Sequence, residues 1–167
     1  MPSVYAFPLR ARRVGGRRIF RPVFRVRLSG PSGTVRTNML VDSGADCSLI
    51  DPRHAESLGL QLDEARRGQV VARRLHISRS EVLLEVNHPS GWLPPVRVPV
   101  EVPVEPMGLP FAVLGREGFF EAFDVAFVLG PDPARGMFCL SPANHRRGRR
   151  ADRDRGHNAR GRARMAA

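Results

Sequence analysis

The chain has 167 residues, of which 42% are hydrophobic, and a formal net charge of +11. This length suits one domain with a substantial core and excludes two of ordinary size. No stretch approaches the roughly 20 apolar residues of a membrane helix, the first residues make a poor signal peptide, and two cysteines cannot build a disulfide framework, so we expect a cytoplasmic protein without membrane contact.

The positive charge is concentrated at the carboxyl end. Residues 143–167 contain nine Arg and two Asp, a net +7, and the rest of the chain carries +4. This segment has no apolar periodicity, so we predict that it is disordered, and it is either a solvated extension or a weak, nonspecific contact for a polyanion such as nucleic acid. We therefore divide the chain into an N-terminal extension (1–18), one domain (19–142) and a disordered Arg-rich tail (143–167).

The first half of the domain predicts a hairpin and a short helix. Hydrophobic residues alternate with Arg within residues 19–28, and a Gly-Pro-Ser-Gly turn leads to a returning strand at 34–41. Asp51 followed by Pro52 is typical of a helix start, and Gly59 is typical of the residue just after a helix end. A helix is therefore predicted from Pro52 to the residue before Gly59.

The second half of the domain predicts short strands separated by turns. A loop is expected over 87–95, and the prolines at positions 99 and 103 favour an edge position for the strand 96–104. A helical turn is expected at 118–123. The other predicted strands span residues 69–77, 81–86, 111–114, 124–129 and 137–140, the last with residues 4–9 as its partner.

One carboxylate stands at the end of an apolar strand. Val41 precedes Asp42, and three small residues follow it: Ser43, Gly44 and Ala45. Glycine allows a sharp turn, and the small side chains leave room beside the carboxylate for another chain or a substrate. Because a carboxylate at such a position is costly without a partner or a function, the segment indicates either an Asx turn that caps the strand or a catalytic group.

A second segment has two apolar residues followed by Gly and Arg: Val113, Leu114, Gly115 and Arg116. In this order the two segments resemble the retropepsin-like (retroviral-protease-like) aspartic proteases, which have an apolar strand ending in Asp-Ser/Thr-Gly-Ala and a later apolar-apolar-Gly-Arg element. The resemblance covers roughly residues 23–140. It implies an all-β, single-domain closed barrel with one or two short helices that forms a two-fold homodimer.

The resemblance also implies an aspartic endopeptidase with Asp42 as its catalytic residue. One Asp-Ser-Gly in a chain of this length is half a site, so the carboxylates of two copies would share a proton and activate a water. Ser43 would brace the two active-site loops, and Gly44 and Ala45 would complete them. The substrate would be a peptide or a protein, and no metal or organic cofactor is implied.

Two further features come from the resemblance. Asp46 and Arg116 match positions that form a salt bridge in retroviral members, although both could be ordinary solvated charges. The flap hairpin, which closes over substrate, falls on Val71, Ala72, Arg73 and Arg74. The family's glycine-rich flap tip is absent there, and this departure leaves open a non-catalytic, dimeric binding or scaffold module with the same fold.

Overall fold

The computed structural model describes residues 3–70, 73–106 and 108–143, and the side chains within these ranges outside 68–75. Most of the predicted tail lies outside the described residues. The described strands are β1 (Tyr5–Pro8), β2 (Arg10–Val14), β3 (Arg17–Arg21), β4 (Val23–Gly30), β5 (Gly33–Val41), β6 (Ser48–Leu49), β7 (Arg66–Val70), β8 (Arg73–His88), β9 (Gly91–Trp92), β10 (Val96–Pro103), β11 (Ala112–Leu114), β12 (Phe123–Val128) and β13 (Met137–Pro142). The helices are α1 (Pro52–Leu58), α2 (Phe119–Ala122) and a 3-10 turn (Pro133–Arg135). None of the helices in these ranges is long and apolar enough to cross a bilayer.

Six strands close into a barrel. They pair in the order β10, β6, β11, β5, β4 and β8, and β8 closes the circle by pairing with β10. Alternate residues point inward, so β4 buries Val26 and Leu28 while Arg25 between the apolar positions stays exposed. This alternation is what a sheet with one buried face requires. The predicted all-β barrel with few helices is confirmed.

Helix α1 begins and ends where the sequence predicts. The Asp51 side chain accepts a hydrogen bond from the backbone N–H of Arg53, and Gly59 adopts the left-handed conformation (φ 64°, ψ 37°) that ends the helix. The Arg53 side chain also donates to Asp51, which is the main reason that the pKa of this carboxyl lies below its ordinary value. Ala55 and Leu58 anchor the helix in the core.

A second, three-stranded sheet in the order β1, β13, β12 packs against the barrel. β1 pairs with β13 antiparallel within the one chain. We predicted these two segments as partners among the chain ends of a dimer interface, which a single chain does not test. Phe7 of β1 lies 5.2 Å from Phe138 of β13 and 5.4 Å from Phe24 of the barrel, measured between ring centroids. The core therefore includes residues that we assigned to an N-terminal extension. The sequence did not reveal this, because a four-residue strand is too short to show periodicity.

Pro22 divides the strand that we predicted over residues 19–28. β3 ends at Arg21 and β4 begins at Val23, because proline has no N–H to continue a ladder. β3 pairs with β2 in a separate hairpin, and β4 alone enters the barrel. The predicted single strand is therefore wrong at its start.

β8 is one continuous strand of 16 residues where we predicted two. Its first part pairs with β7 and its second part with β10 and β4, so backbone pairing carries the strand through a polar stretch. The predicted loop 87–95 is shorter than expected, because Asn87 at the end of β8 pairs with Trp92 of β9.

β10 is not the edge strand that its prolines suggested, since it pairs with β8 along its whole length and with β6 at two positions. In a strand, every second residue directs its backbone N and C=O to the same side, so Pro99, Glu101 and Pro103 face the same neighbour. The carbonyl of Glu101 accepts a hydrogen bond from Ile50 N–H, just after β6, at 3.1 Å. The backbone nitrogens of both prolines therefore face the β6 side. Because β6 covers only the middle of β10, no hydrogen bond from these nitrogens is needed.

Candidate active site

Asp42 is the first residue after β5, at the rim of the barrel. Its backbone N–H donates to Leu114 O (3.0 Å), and its Oδ1 accepts from the N–H of Gly44 (2.9 Å). The carboxylate is half-buried, while Ser43 and Gly44 are exposed. The Asx turn and the catalytic interpretation are thus compatible, because the turn holds one oxygen and orients the carboxylate toward the surface.

The two sequence motifs meet side by side. β11 runs parallel to β5, with Val113 beside Leu40 and Leu114 beside Val41. Both strands end at the same rim, so the residues after Val41 and after Leu114 are brought together. This parallel pairing joins segments about 70 residues apart, and no local pattern in the sequence shows it directly.

Gly115 packs directly against the chain that leaves the Asp42 turn. A Cβ at this position would lie 2.4 Å from both the backbone carbon and the oxygen of Cys47. The N–H of Gly115 donates to Ser48 Oγ at 3.1 Å, and Ser48 is fully buried. Ser48 was not predicted as a functional residue, although a lone hydroxyl in an apolar stretch was the available signal.

Cys47 is a buried thiol beside this junction. Burial raises its pKa to about 12, so it stays protonated and unreactive at neutral pH. Its Sγ lies 3.5 Å from the carbonyl of Pro99, a weak hydrogen bond to the barrel wall. Both Cys47 and Cys139 are free.

Arg116 and Asp46 form an ion pair across the junction. Their side chains are 58% and 82% exposed, so the pair itself contributes about 1 kcal/mol or less. Two backbone bonds hold the same contact, from Arg116 N–H to Ala45 O (2.9 Å) and from Glu117 N–H to Asp46 O (2.8 Å). The turn is therefore tied to β11 mainly through its backbone.

The candidate flap is the hairpin of β7 and β8. Its last described pairs are Gln69 with Arg74 and Val70 with Arg73. Val71 and Ala72, the other two flap candidates, lie outside the described residues. The role of this hairpin stays a prediction.

A cavity of ≈ 370 Å³ lies between β5, β6 and the start of α1, and Phe111 is among its lining residues. Asp42 is not among the residues that line this cavity. Within the described ranges, no group of three or more His, Cys, Asp or Glu side chains has the arrangement of a metal site.

Residues 24–87 match the model of the aspartyl protease family, and the match includes the Asp42 turn, α1 and the β7–β8 hairpin. This part of the chain, 64 of its 167 residues, is similar to the aspartyl proteases.

Solved structures similar to this chain include two proteases. A retropepsin-like aspartic protease from Rickettsia conorii is 17% identical, with a TM-score of 0.45, over 86% of this chain and 97% of that one. The EIAV protease in complex with the inhibitor HBY-793 is 21% identical, with a TM-score of 0.36, over 57% of this chain and 82% of that one. Among curated proteins, none matches.

Proposed function

We propose that this protein hydrolyses peptide bonds with a water activated by two copies of Asp42, one from each subunit of a homodimer. The observation that carries the proposal is the half-buried Asp42 carboxylate, oriented by the N–H of Gly44 on a turn whose next two residues are exposed. Peptides or proteins are the substrates.

Peptide hydrolysis by acid–base chemistry needs one group that accepts a proton from water and one that donates a proton to the carbonyl. The other carboxylate of the Asp42 turn, Asp46, pairs with Arg116. A second Asp42 across a two-fold axis supplies the missing group, and a two-fold axis makes the two halves of the site equivalent.

The two carboxylates would share one proton, because like charges at hydrogen-bond distance cannot both ionise easily. The ionised member takes a proton from water as the water attacks the scissile carbonyl. The protonated member donates to the carbonyl oxygen and later helps to protonate the leaving amine. The two titration steps belong to the pair. In this dimer, the exposed Ser43 and Gly44 would contact the partner loop and the peptide, and Ala45 would support the turn.

Exposed apolar side chains on the second sheet support the dimer. Leu129 is 70% exposed, Val4 64%, Val128 52% and Phe127 44%, and all lie on or beside the three-stranded sheet. One strand of this sheet, β12, follows the second motif closely, because α2 leads from Arg116 into it. Burial of such a surface is the usual driving force for association.

Subunit mixing tests the proposal. A fixed amount of wild-type protein is mixed with increasing Asp42→Asn protein, after dissociation and reassociation, and cleavage of a diverse peptide mixture between pH 4 and 7 is followed by mass spectrometry. We expect the Asn variant alone to be inactive. Activity should fall as mixed dimers replace wild-type dimers, because each mixed dimer has one carboxylate.

The matched control is Glu56→Gln, which removes an exposed carboxylate on α1 and should not inhibit when mixed. Undiminished activity in the Asp42→Asn mixture would show that one subunit acts alone. Absence of cleavage by a folded wild-type dimer would favour the binding or scaffold module instead.

A further inference from the structure

The β2–β3 hairpin carries a basic surface that the proposed reaction does not use. Residues 10–21 contain six Arg and no acidic residue. Within the described part of the chain, none of these six is in an ion pair. The hairpin is therefore a concentrated positive charge without an internal counter-charge.

The cross-strand register adds to this charge. Arg13 lies opposite Arg18, and Arg10 lies opposite Arg21. Like charges directly opposite each other destabilise an antiparallel pair. A bound anion would relieve this repulsion, which favours an anionic ligand.

The hairpin has two distinct faces, because side chains alternate along a strand and opposite residues share a face. We call the face that carries Arg10, Arg12, Arg17 and Arg21 the barrel face, and the face that carries Arg13 and Arg18 the outer face. Arg10 Nη1 on the barrel face donates to Asn38 Oδ1 at 3.0 Å. The Arg12 guanidinium lies 5.2 Å from the ring centroid of Phe111.

These contacts place part of the barrel face beside β5 and the start of β11, the two strands that lead to the catalytic turn. Phe111 precedes Leu114 by three residues, and Leu114 O accepts from the N–H of Asp42. At a rise of about 3.3 Å per residue, Phe111 lies roughly 10 Å along the strand from the turn. In an extended peptide whose scissile bond lies at Asp42, a residue about three positions from that bond lies at a similar distance from Asp42.

We infer that the barrel face of the β2–β3 hairpin selects peptide substrates with acidic side chains about three residues from the scissile bond. The inference rests on the proposed function, and the two-fold dimer puts one hairpin on each side of the catalytic pair. A nucleic acid fits less well, because Phe20 and Phe111 each already have an Arg guanidinium against one ring face (5.3 and 5.2 Å), which a stacked base would have to displace.

Paired peptides test the inference. Each pair is identical except for Glu or Gln three residues from the cleaved bond on both sides, and kcat/KM is measured for both at pH 6 and low salt. We expect the wild type to prefer the Glu peptide by about three- to tenfold, as a few exposed charge pairs allow. The ratio should approach one in Arg12→Gln/Arg17→Gln and persist in Arg12→Lys/Arg17→Lys.

The outer-face variant Arg13→Gln/Arg18→Gln is the matched control, since it removes the same charge from the same hairpin. It should keep the larger part of the preference. The preference should also fade with added salt, and below about pH 4, where Glu is protonated and Arg is not. A purely structural role of the hairpin would change both peptides alike.

Three results would overturn the inference. Equal cleavage of both peptides by the wild type, or an unchanged ratio in Arg12→Gln/Arg17→Gln, would remove the hairpin from substrate selection while leaving the proposed function intact. Stronger inhibition by a short oligonucleotide than by a peptide of equal charge would make the hairpin a nucleic-acid surface. Failure to cleave either peptide would instead contradict the proposed function itself.

Discussion

The Asp42 turn and the β2–β3 hairpin both adjoin β5 and the β11 segment but are held in different ways. Backbone hydrogen bonds to β11, the buried Ser48 and the close approach of Gly115 to Cys47 hold the turn. Every residue of β2 is exposed, and the hairpin touches the barrel through long Arg side chains. We infer that chemistry needs the first kind of support and that selection of charged substrates tolerates the second.

The largest expected effect is on the turn, with Gly115→Ala. The new Cβ would meet backbone atoms of Cys47 at 2.4 Å, and backbone cannot move aside as a flexible side chain can. We expect a loss of about 3 kcal/mol or more in the free energy of unfolding, and loss of activity. Urea denaturation measures the first. Gly130→Ala is the control, since a Cβ there has nothing within 4 Å. Equal stability of the two variants would contradict the tight contact.

Ser48→Ala should have a smaller effect on the same junction. It leaves the buried N–H of Gly115 without its 3.1 Å partner, at a cost of about 1–3 kcal/mol. Thermal denaturation checks the stability, and Ser48→Cys, which keeps a weak hydrogen-bonding group, should lose less. A neutral result would mean that water or a shifted backbone satisfies the amide.

Acid should weaken the barrel wall by about 1 kcal/mol. Arg27 on β4 makes a double hydrogen bond to Glu85 on β8 and holds the pKa of Glu85 below its ordinary value. The pair therefore stabilises the fold above the unfolded pKa of about 4.3, and this contribution is lost as pH falls through the folded pKa. Unfolding free energies at pH 5 and pH 3 should differ less in Glu85→Gln than in the wild type. An equal pH dependence would sink this assignment.

The smallest effect on global stability is expected in the hairpin. Gly16 has φ 78°, so Gly16→Ala costs about 1–2 kcal/mol locally. Because β2 buries no residue, the hairpin should open without unfolding the barrel. Hydrogen exchange should accelerate in residues 10–21 while the melting temperature stays constant. A matching fall in the melting temperature would show that hairpin and barrel unfold together.

Local chemistry explains what could be predicted from the sequence. The bounds of α1 follow from Asp51, Pro52 and Gly59, whose effects reach only a few residues. The barrel strands follow from alternation. The two motifs were also found in sequence, but why Gly115 must be glycine depends on Cys47, which only the parallel pairing of β5 and β11 brings near.

The errors also have physical causes. The prolines of β10 predicted an edge strand. However, β6 pairs with β10 only at two positions between the prolines, so their missing N–H groups break no hydrogen bond. Ser48 looked like an ordinary polar residue, because its buried partner is 67 positions away. The short β1 shows no periodicity, and its place in the core depends on aromatic contacts with distant strands.

The length of β8 connects the candidate flap to the barrel in a single strand. Its first residues form one strand of the candidate flap, and its later residues belong to the barrel. Ile77 is paired on both sides, with Arg66 of β7 and Pro103 of β10. Force applied to this flap strand by a peptide would reach the barrel wall through one uninterrupted backbone. Binding of a peptide at the outer end of the hairpin and the rigidity of the barrel are therefore mechanically coupled.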